Sequence, residues 1–61
     1  MTNHIKKIVI HMHTGEEFKY NTAVQFYYIG ELFQVTVVEN EKYEHIRHRI
    51  SDMESVLIEW E

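Results

Sequence analysis

The sequence predicts an all-β domain of five to six short antiparallel strands, arranged as a meander or small open barrel. Three observations carry this expectation. Apolar and polar residues alternate with a period of two from Lys6 to His13 and again from Leu32 to Val38. The segment Val24 to Ile29 is dense in β-branched and aromatic residues. Two glycines, Gly15 and Gly30, stand between these segments, and no proline interrupts them.

In the first segment Ile8, Ile10 and Met12 point one way, while Lys7, Val9, His11 and His13 point the other. Thr14-Gly15-Glu16 supplies a turn, Gly15 being free to adopt positive φ. Phe18 and Tyr20 flank Lys19 in a short second strand, and Met12 and Phe18 share the inward face of this hairpin. Asn21-Thr22 reads as a corner. A second hairpin runs from Val24 to Ile29, turns at Gly30-Glu31, and returns from Leu32 to Val38. In its returning strand Phe33, Val35 and Val37 oppose Gln34 and Thr36. Glu39-Asn40-Glu41-Lys42 is a polar break.

The last third supports two readings. Tyr43, Ile46, Ile50, Met53, Leu57 and Trp60 recur at helical spacing, with Asn40 as a helix N-cap, which gives an α+β alternative: N-terminal hairpins plus a C-terminal helix from about residue 41. The competing reading has a strand from Tyr43 to Ile50, a turn over Ser51-Asp52-Met53-Glu54, and a last strand from Ser55 to Trp60. Three features favour strands. Val56 and Ile58 would be wasted on an exposed helix face but alternate correctly with Trp60. Glu59 and Glu61 would oppose a helix dipole, and Ser51-Asp52 is good turn chemistry.

Sixty-one residues make one domain at most. A chain of this length buries only about 60% of its unfolded surface. With no cysteine there is neither a disulfide nor a thiolate metal site, and the composition fits a reducing compartment. Hydrophobic residues at 44% suffice for a core, so packing or a second copy must supply the stability, and a homodimer is the default. The start Met1-Thr2-Asn3-His4-Ile5-Lys6-Lys7 imitates a signal peptide, but His11 interrupts the apolar stretch after Ile8-Val9-Ile10. No apolar window is long enough for a membrane helix. The expected location is the cytoplasm.

The net charge of −4 argues against a general nucleic-acid binder. The one basic cluster is His45-Ile46-Arg47-His48-Arg49. Its arginines share a strand face, where they can grip an acidic partner, bind a phosphate, or pair across strands with Glu39, Glu41 or Glu44. His11 and His13 on one strand face would lie about 6.5–7 Å apart, a spacing that accommodates Zn²⁺ or Ni²⁺ only with a third ligand. His4 has the opposite parity, so they read as exposed strand histidines and no metal or other cofactor is expected. No phosphate loop, nucleophile elbow or triad spacing occurs, and so small a domain seldom forms a ligand-sized pocket. An enzyme is not expected.

Phe26-Tyr27-Tyr28 and Phe33 invite base stacking, but no Lys or Arg lies between Lys19 and Lys42 to accompany it. Phe26 and Tyr28 fall on one face, Tyr27 and Ile29 on the other. So thin a core cannot bury Tyr27 and Ile29 together with Val9, Leu57 and Trp60, and an apolar second face needs a cover. Tyrosine and tryptophan are common interface anchors. Tyr27, Tyr28, Arg47, Arg49 and Trp60 are therefore the candidate partner-binding residues.

The opening Ile5-Lys6-Lys7-Ile8-Val9-Ile10-His11-Met12-His13-Thr14-Gly15-Glu16-Glu17-Phe18 resembles the first hairpin of many small β-rich proteins from phages, prophages and plasmids of Gram-positive bacteria. The closing Ile50-Ser51-Asp52-Met53-Glu54-Ser55-Val56-Leu57-Ile58-Glu59 is similar to their ending, in which one turn leads into a final strand. The two stretches cover under half of the chain and are patterns of apolar spacing. The resemblance implies an open β-meander or small barrel and assigns no reaction and no specific partner. The expectation is a non-enzymatic module that binds a host protein, an accessory or inhibitory protein of a mobile element. The rivals are a nucleic-acid-binding module and a self-assembling structural subunit.

Overall fold

The computed structural model describes residues 4–61; the first three residues of the N-terminal basic stretch lie outside it. Six strands form: β1 (Ile5–Met12), β2 (Glu17–Tyr20), β3 (Ala23–Ile29), β4 (Leu32–Glu39), β5 (Lys42–Arg49) and β6 (Met53–Trp60). All pairings are antiparallel. They make two three-stranded sheets, ordered β2-β1-β6 and β3-β4-β5, which do not close into a barrel. The helical alternative for the last third is replaced by β5, one 3₁₀ turn over Ile50–Asp52, and β6. The deciding residues are Val56 and Ile58, which pack against the core from β6 as strand parity requires.

Each connection has its own turn chemistry. Between β1 and β2 the Gly15 amide donates to the Met12 carbonyl (3.0 Å), and Gly15 follows with φ +95°, a type I turn with a glycine bulge. Gly30, at φ +59°, occupies the first central position of the two-residue β3–β4 loop, where a primed turn matches the strand twist. The polar break after Glu39 is a third hairpin. Glu39 and Lys42 pair across it, and both Asn40 (φ 51°) and Glu41 (φ 63°) are left-handed, the signature of a type I′ turn. Glutamate is a poor occupant there, because its Cβ crowds the backbone at positive φ. Glu41→Gly is therefore expected to stabilise the domain by about 1 kcal/mol, read as a higher urea midpoint with an unchanged slope.

The two crossings between sheets are pinned by backbone. The Val38 amide donates to the Thr22 carbonyl at 3.1 Å, fixing the β2–β3 corner. At the return, the Ile50 amide donates to Glu31 O (2.9 Å) and the His13 amide to Asp52 O (3.0 Å). The 3₁₀ turn is thus tied to both sheets.

The core lies between the layers. Ile8, Ile10, Phe33 and Val35 are completely buried, with Ala23 and Val37 beside them. Met12 and Phe18 pack on this core from the first hairpin, with Ile46, Ile50 and Met53 adding to it from β5 and the return. The contributing positions follow the period of two from Ile8 to Met12, in β2, from Phe33 to Val37 and from Val56 to Trp60. They slip by one residue at the irregularities beside Ile5, Ala23 and Met53.

Candidate interaction surface

The central strand of the second sheet carries two polar residues on its outer face, and both are buried: Gln34 is 7% and Thr36 2% exposed. The register explains this. Across the sheet Tyr27, Gln34 and Arg47 form one row, Gln25, Thr36 and His45 the next, and Ile29, Leu32 and Arg49 a third. Longer side chains from β3 and β5 flank the central strand on both sides. Arg47 Nε donates to Gln34 Oε1 at 2.9 Å. His45 Nδ1 lies 2.9 Å from the Thr36 hydroxyl and 3.5 Å from Gln34 Nε2. Among the described residues no buried side-chain polar atom lacks a partner.

This ladder holds Arg47 by one nitrogen, which leaves the two terminal nitrogens of its guanidinium for another acceptor. The cross-strand ion pairs with Glu39, Glu41 or Glu44 do not form: among the described residues neither Arg47 nor Arg49 has a carboxylate within ion-pair distance. Parity is the reason for Glu44, which opposes Val37 and so lies on the other face of β5. Glu39 and Glu41 sit at the hairpin tip. The outer face of the first sheet is different. There Lys7 pairs with Glu59 (3.0 Å), and Glu17 bridges His11 (3.3 Å) and Lys19 (3.2 Å). One outer face is charge-compensated; the other offers two arginines beside half-exposed Tyr27 and Ile29 and exposed Tyr43.

The five candidate partner-binding residues do not form one patch. Tyr27, Arg47 and Arg49 share the outer face of β3-β4-β5. Tyr28 turns inward at the sheet margin, its ring centroid 4.9 Å from that of Phe33. Trp60 also has inward parity and meets Phe26 at 6.3 Å across the open side between β6 and β3. Trp60 and Phe26, with Ile5 and Ala23, line a shallow hollow of about 320 Å³ there. Val9, expected among the surplus apolar residues, is only 5% exposed, whereas Leu57 stays 54% exposed. His11 is on β1 but His13 lies in the turn beyond it, and His11 Nδ1 faces Glu17, so the two do not form a strand pair. Among the described residues no cluster of three His, Asp or Glu is arranged to hold a metal ion.

On the opposite margin the layers are joined by a hydrogen bond that local sequence does not reveal. Tyr20 Oη lies 2.6 Å from His48 Nε2, linking β2 to β5. The faces around His48 come from Phe18, at 4.9 Å between centroids, from Tyr20, and from its cross-strand partner Phe33. None is charged at neutral pH. Burial raises the Tyr20 pKa and lowers that of His48. A histidine whose folded pKa lies below its unfolded value binds fewer protons when folded, so stability rises with pH across the interval between them. The contribution is complete above about 6.5 and is lost as pH falls through the folded pKa. The urea midpoint of the wild type should therefore fall more between about pH 7 and about pH 5 than that of His48→Phe, in which all other titrating groups are retained.

Among the described residues no helix is long and apolar enough to cross a membrane. No protein-family model, curated protein or solved structure matches the chain.

Proposed function

We propose that the chain is a non-enzymatic interaction module whose outer β3-β4-β5 face binds an acidic surface of a protein partner. One observation carries the reading: in a chain of net charge −4, this face presents Arg47 and Arg49 without a carboxylate, beside Tyr27, Ile29 and Tyr43. Depletion of compensating charge around arginine and tyrosine is the composition of a binding surface. The resemblance of the first hairpin and the last strand to phage and plasmid proteins supports a host protein as that partner. The module then acts as an accessory or inhibitory protein by covering a host surface.

A second reading has a specific observation behind it. Tyr27 and Tyr43 come to share an open sheet face with Arg47 and Arg49, the interleaving of rings and cations that single-stranded nucleic acids use. Affinity capture from host lysate, with nuclease treatment, tests both. A stoichiometric protein kept by the wild type and lost by Arg47→Glu/Arg49→Glu supports the first reading. Retardation of a mixed-sequence single strand that weakens steeply with salt, with no protein retained, replaces it with the second.

A further inference from the structure

We propose that β3 is a self-association seam, at which two copies pair antiparallel about Tyr27 and fuse their β3-β4-β5 sheets into one of six strands. Four strands end the two sheets: β2 and β6 in the first, β3 and β5 in the second. Exposed edges are normally blunted by charge or proline. β2 carries Glu17 and Lys19, β5 carries Lys42, Glu44, Arg47 and Arg49, and β6 carries Glu54 and Glu59. β3, reading Ala-Val-Gln-Phe-Tyr-Tyr-Ile, carries no charge and no proline.

The surface agrees with the edge. Of the seven exposed large hydrophobic residues among those described, four lie on β3: Val24 (46%), Tyr27 (49%), Tyr28 (63%) and Ile29 (50%). An uncharged apolar edge is matched by another uncharged apolar edge, and β3 is the one edge strand that presents no charge to its own copy in any register. A second copy of the same strand is therefore the occupant its chemistry selects.

Symmetry then fixes the register. A two-fold axis normal to the sheet keeps each face on its own side, so the residue on the axis opposes itself. The irregularity between Ala23 and Gln25 breaks pairing at that end of β3, and Gly30 begins the turn at the other. The longest uninterrupted pairing is centred on Tyr27. It sets Phe26 against Tyr28 of the other copy, Tyr28 against its Phe26, and Gln25 against Ile29. Two aromatic cross-strand pairs form on the inward side, the kind of contact that stabilises sheets most. The two β5 strands stay at opposite margins, five strand spacings or about 24 Å apart, so the arginines of the copies do not meet. The inference uses no part of the partner-binding reading, and its test reads mass alone.

The experiment is sedimentation equilibrium on the full chain across a concentration series, with Tyr27→Lys and Tyr27→Glu, each checked for its β spectrum. The wild type is expected to sediment at twice the 7.5 kDa chain mass. Each variant alone is expected to sediment at half the wild-type mass, since Lys opposes Lys or Glu opposes Glu on the axis. Mixing the two variants should restore the dimer, because the register then opposes Lys to Glu. A monomeric wild type at every concentration overturns the seam, as does a dimer that survives in both single variants. Failure of folded variants to recombine overturns the Tyr27 register. If a variant does not fold, hydrogen exchange on the wild type decides: β3 amides losing protection on dilution, with β4 unchanged, supports the seam, and unchanged β3 protection sinks it.

Discussion

Phe33→Ala is expected to leave the chain without a cooperative unfolding transition at 25 °C. Phe33 is completely buried near the start of β4, with Phe26 at 6.0 Å and Tyr28 at 4.9 Å between ring centroids. Truncating a buried phenylalanine removes about 3–5 kcal/mol, the transfer energy plus the void left behind. A domain of 61 residues has on the order of 3–9 kcal/mol in total. The loss therefore equals most or all of the stability, and neighbours from a second layer cannot collapse to fill the gap without breaking their own strand register. Urea titration followed by circular dichroism checks this, with all samples at one chain concentration, since self-association would add to apparent stability. Leu57→Ala, at a half-exposed position, should shift the same curve by less than about 1 kcal/mol. Equal losses at the two positions would place the core elsewhere than between the sheets.

Reversing the two outer arginines should have the largest effect on binding while leaving the fold intact. Arg47→Glu/Arg49→Glu puts two carboxylates where an acidic partner expects two guanidinium groups. Desolvated charge pairs at interfaces lose about 2–5 kcal/mol when one member is removed, so partner affinity should fall by at least about thirtyfold. Both arginines are exposed, so the fold should survive. Arg47→Glu takes the donor from buried Gln34 Oε1, however, and the urea midpoint should report a loss of about 1–3 kcal/mol from that substitution alone. Arg47→Lys separates charge from geometry. It keeps the cation but loses the planar fork and the bond from Nε to Gln34 Oε1, and so should weaken binding less than reversal and more than a neutral control such as Leu57→Ala. Isothermal titration against the captured partner measures all three. Undiminished affinity in the doubly reversed variant would remove this face from the partner-binding reading.

The charge-free β3 edge and the uncompensated arginines lie on the same sheet but respond to different substitutions. Charge reversal on β5 tests a foreign partner; charge on Tyr27 tests the copy. A chain that proves both dimeric and partner-binding would present two arginine-bearing faces on one continuous sheet, and so bind a repeated or multimeric target by avidity.

Much of this molecule was legible along the chain because strand parity is a local property. The alternation of Ile8, Ile10 and Met12 with Lys7, Val9 and His11 already says which side chains turn inward, and the same holds for Phe33, Val35 and Val37. Gly15 and Gly30 announce turns because they tolerate the positive φ those turns require. The hairpin at Asn40-Glu41 was harder to read, since Glu41 adopts a conformation its side chain disfavours and only the closure of β4 on β5 holds it there. The final third was ambiguous for a physical reason: spacings of three and four residues satisfy a helix as well as a strand interrupted by one turn. Packing of Val56 and Ile58 against a core built by other strands resolved it.

What the sequence determined by itself is the all-β class, the identity of most strands, and the inward or outward sense of each residue within its own strand. The hairpin neighbours were local, but the pairing of β6 with β1 and the packing of the two sheets were decided by tertiary structure, because they join residues far apart in the chain through contacts that no local pattern encodes. Tertiary structure also set the registers that brought Gln34, Thr36 and His45 into one ladder and Arg47 onto the same face as Tyr27. It left Arg47 and Arg49 without the glutamates that charge alone would have assigned them. It also joined Tyr20 to His48 across the two layers, and made β3 an edge instead of a covered central strand.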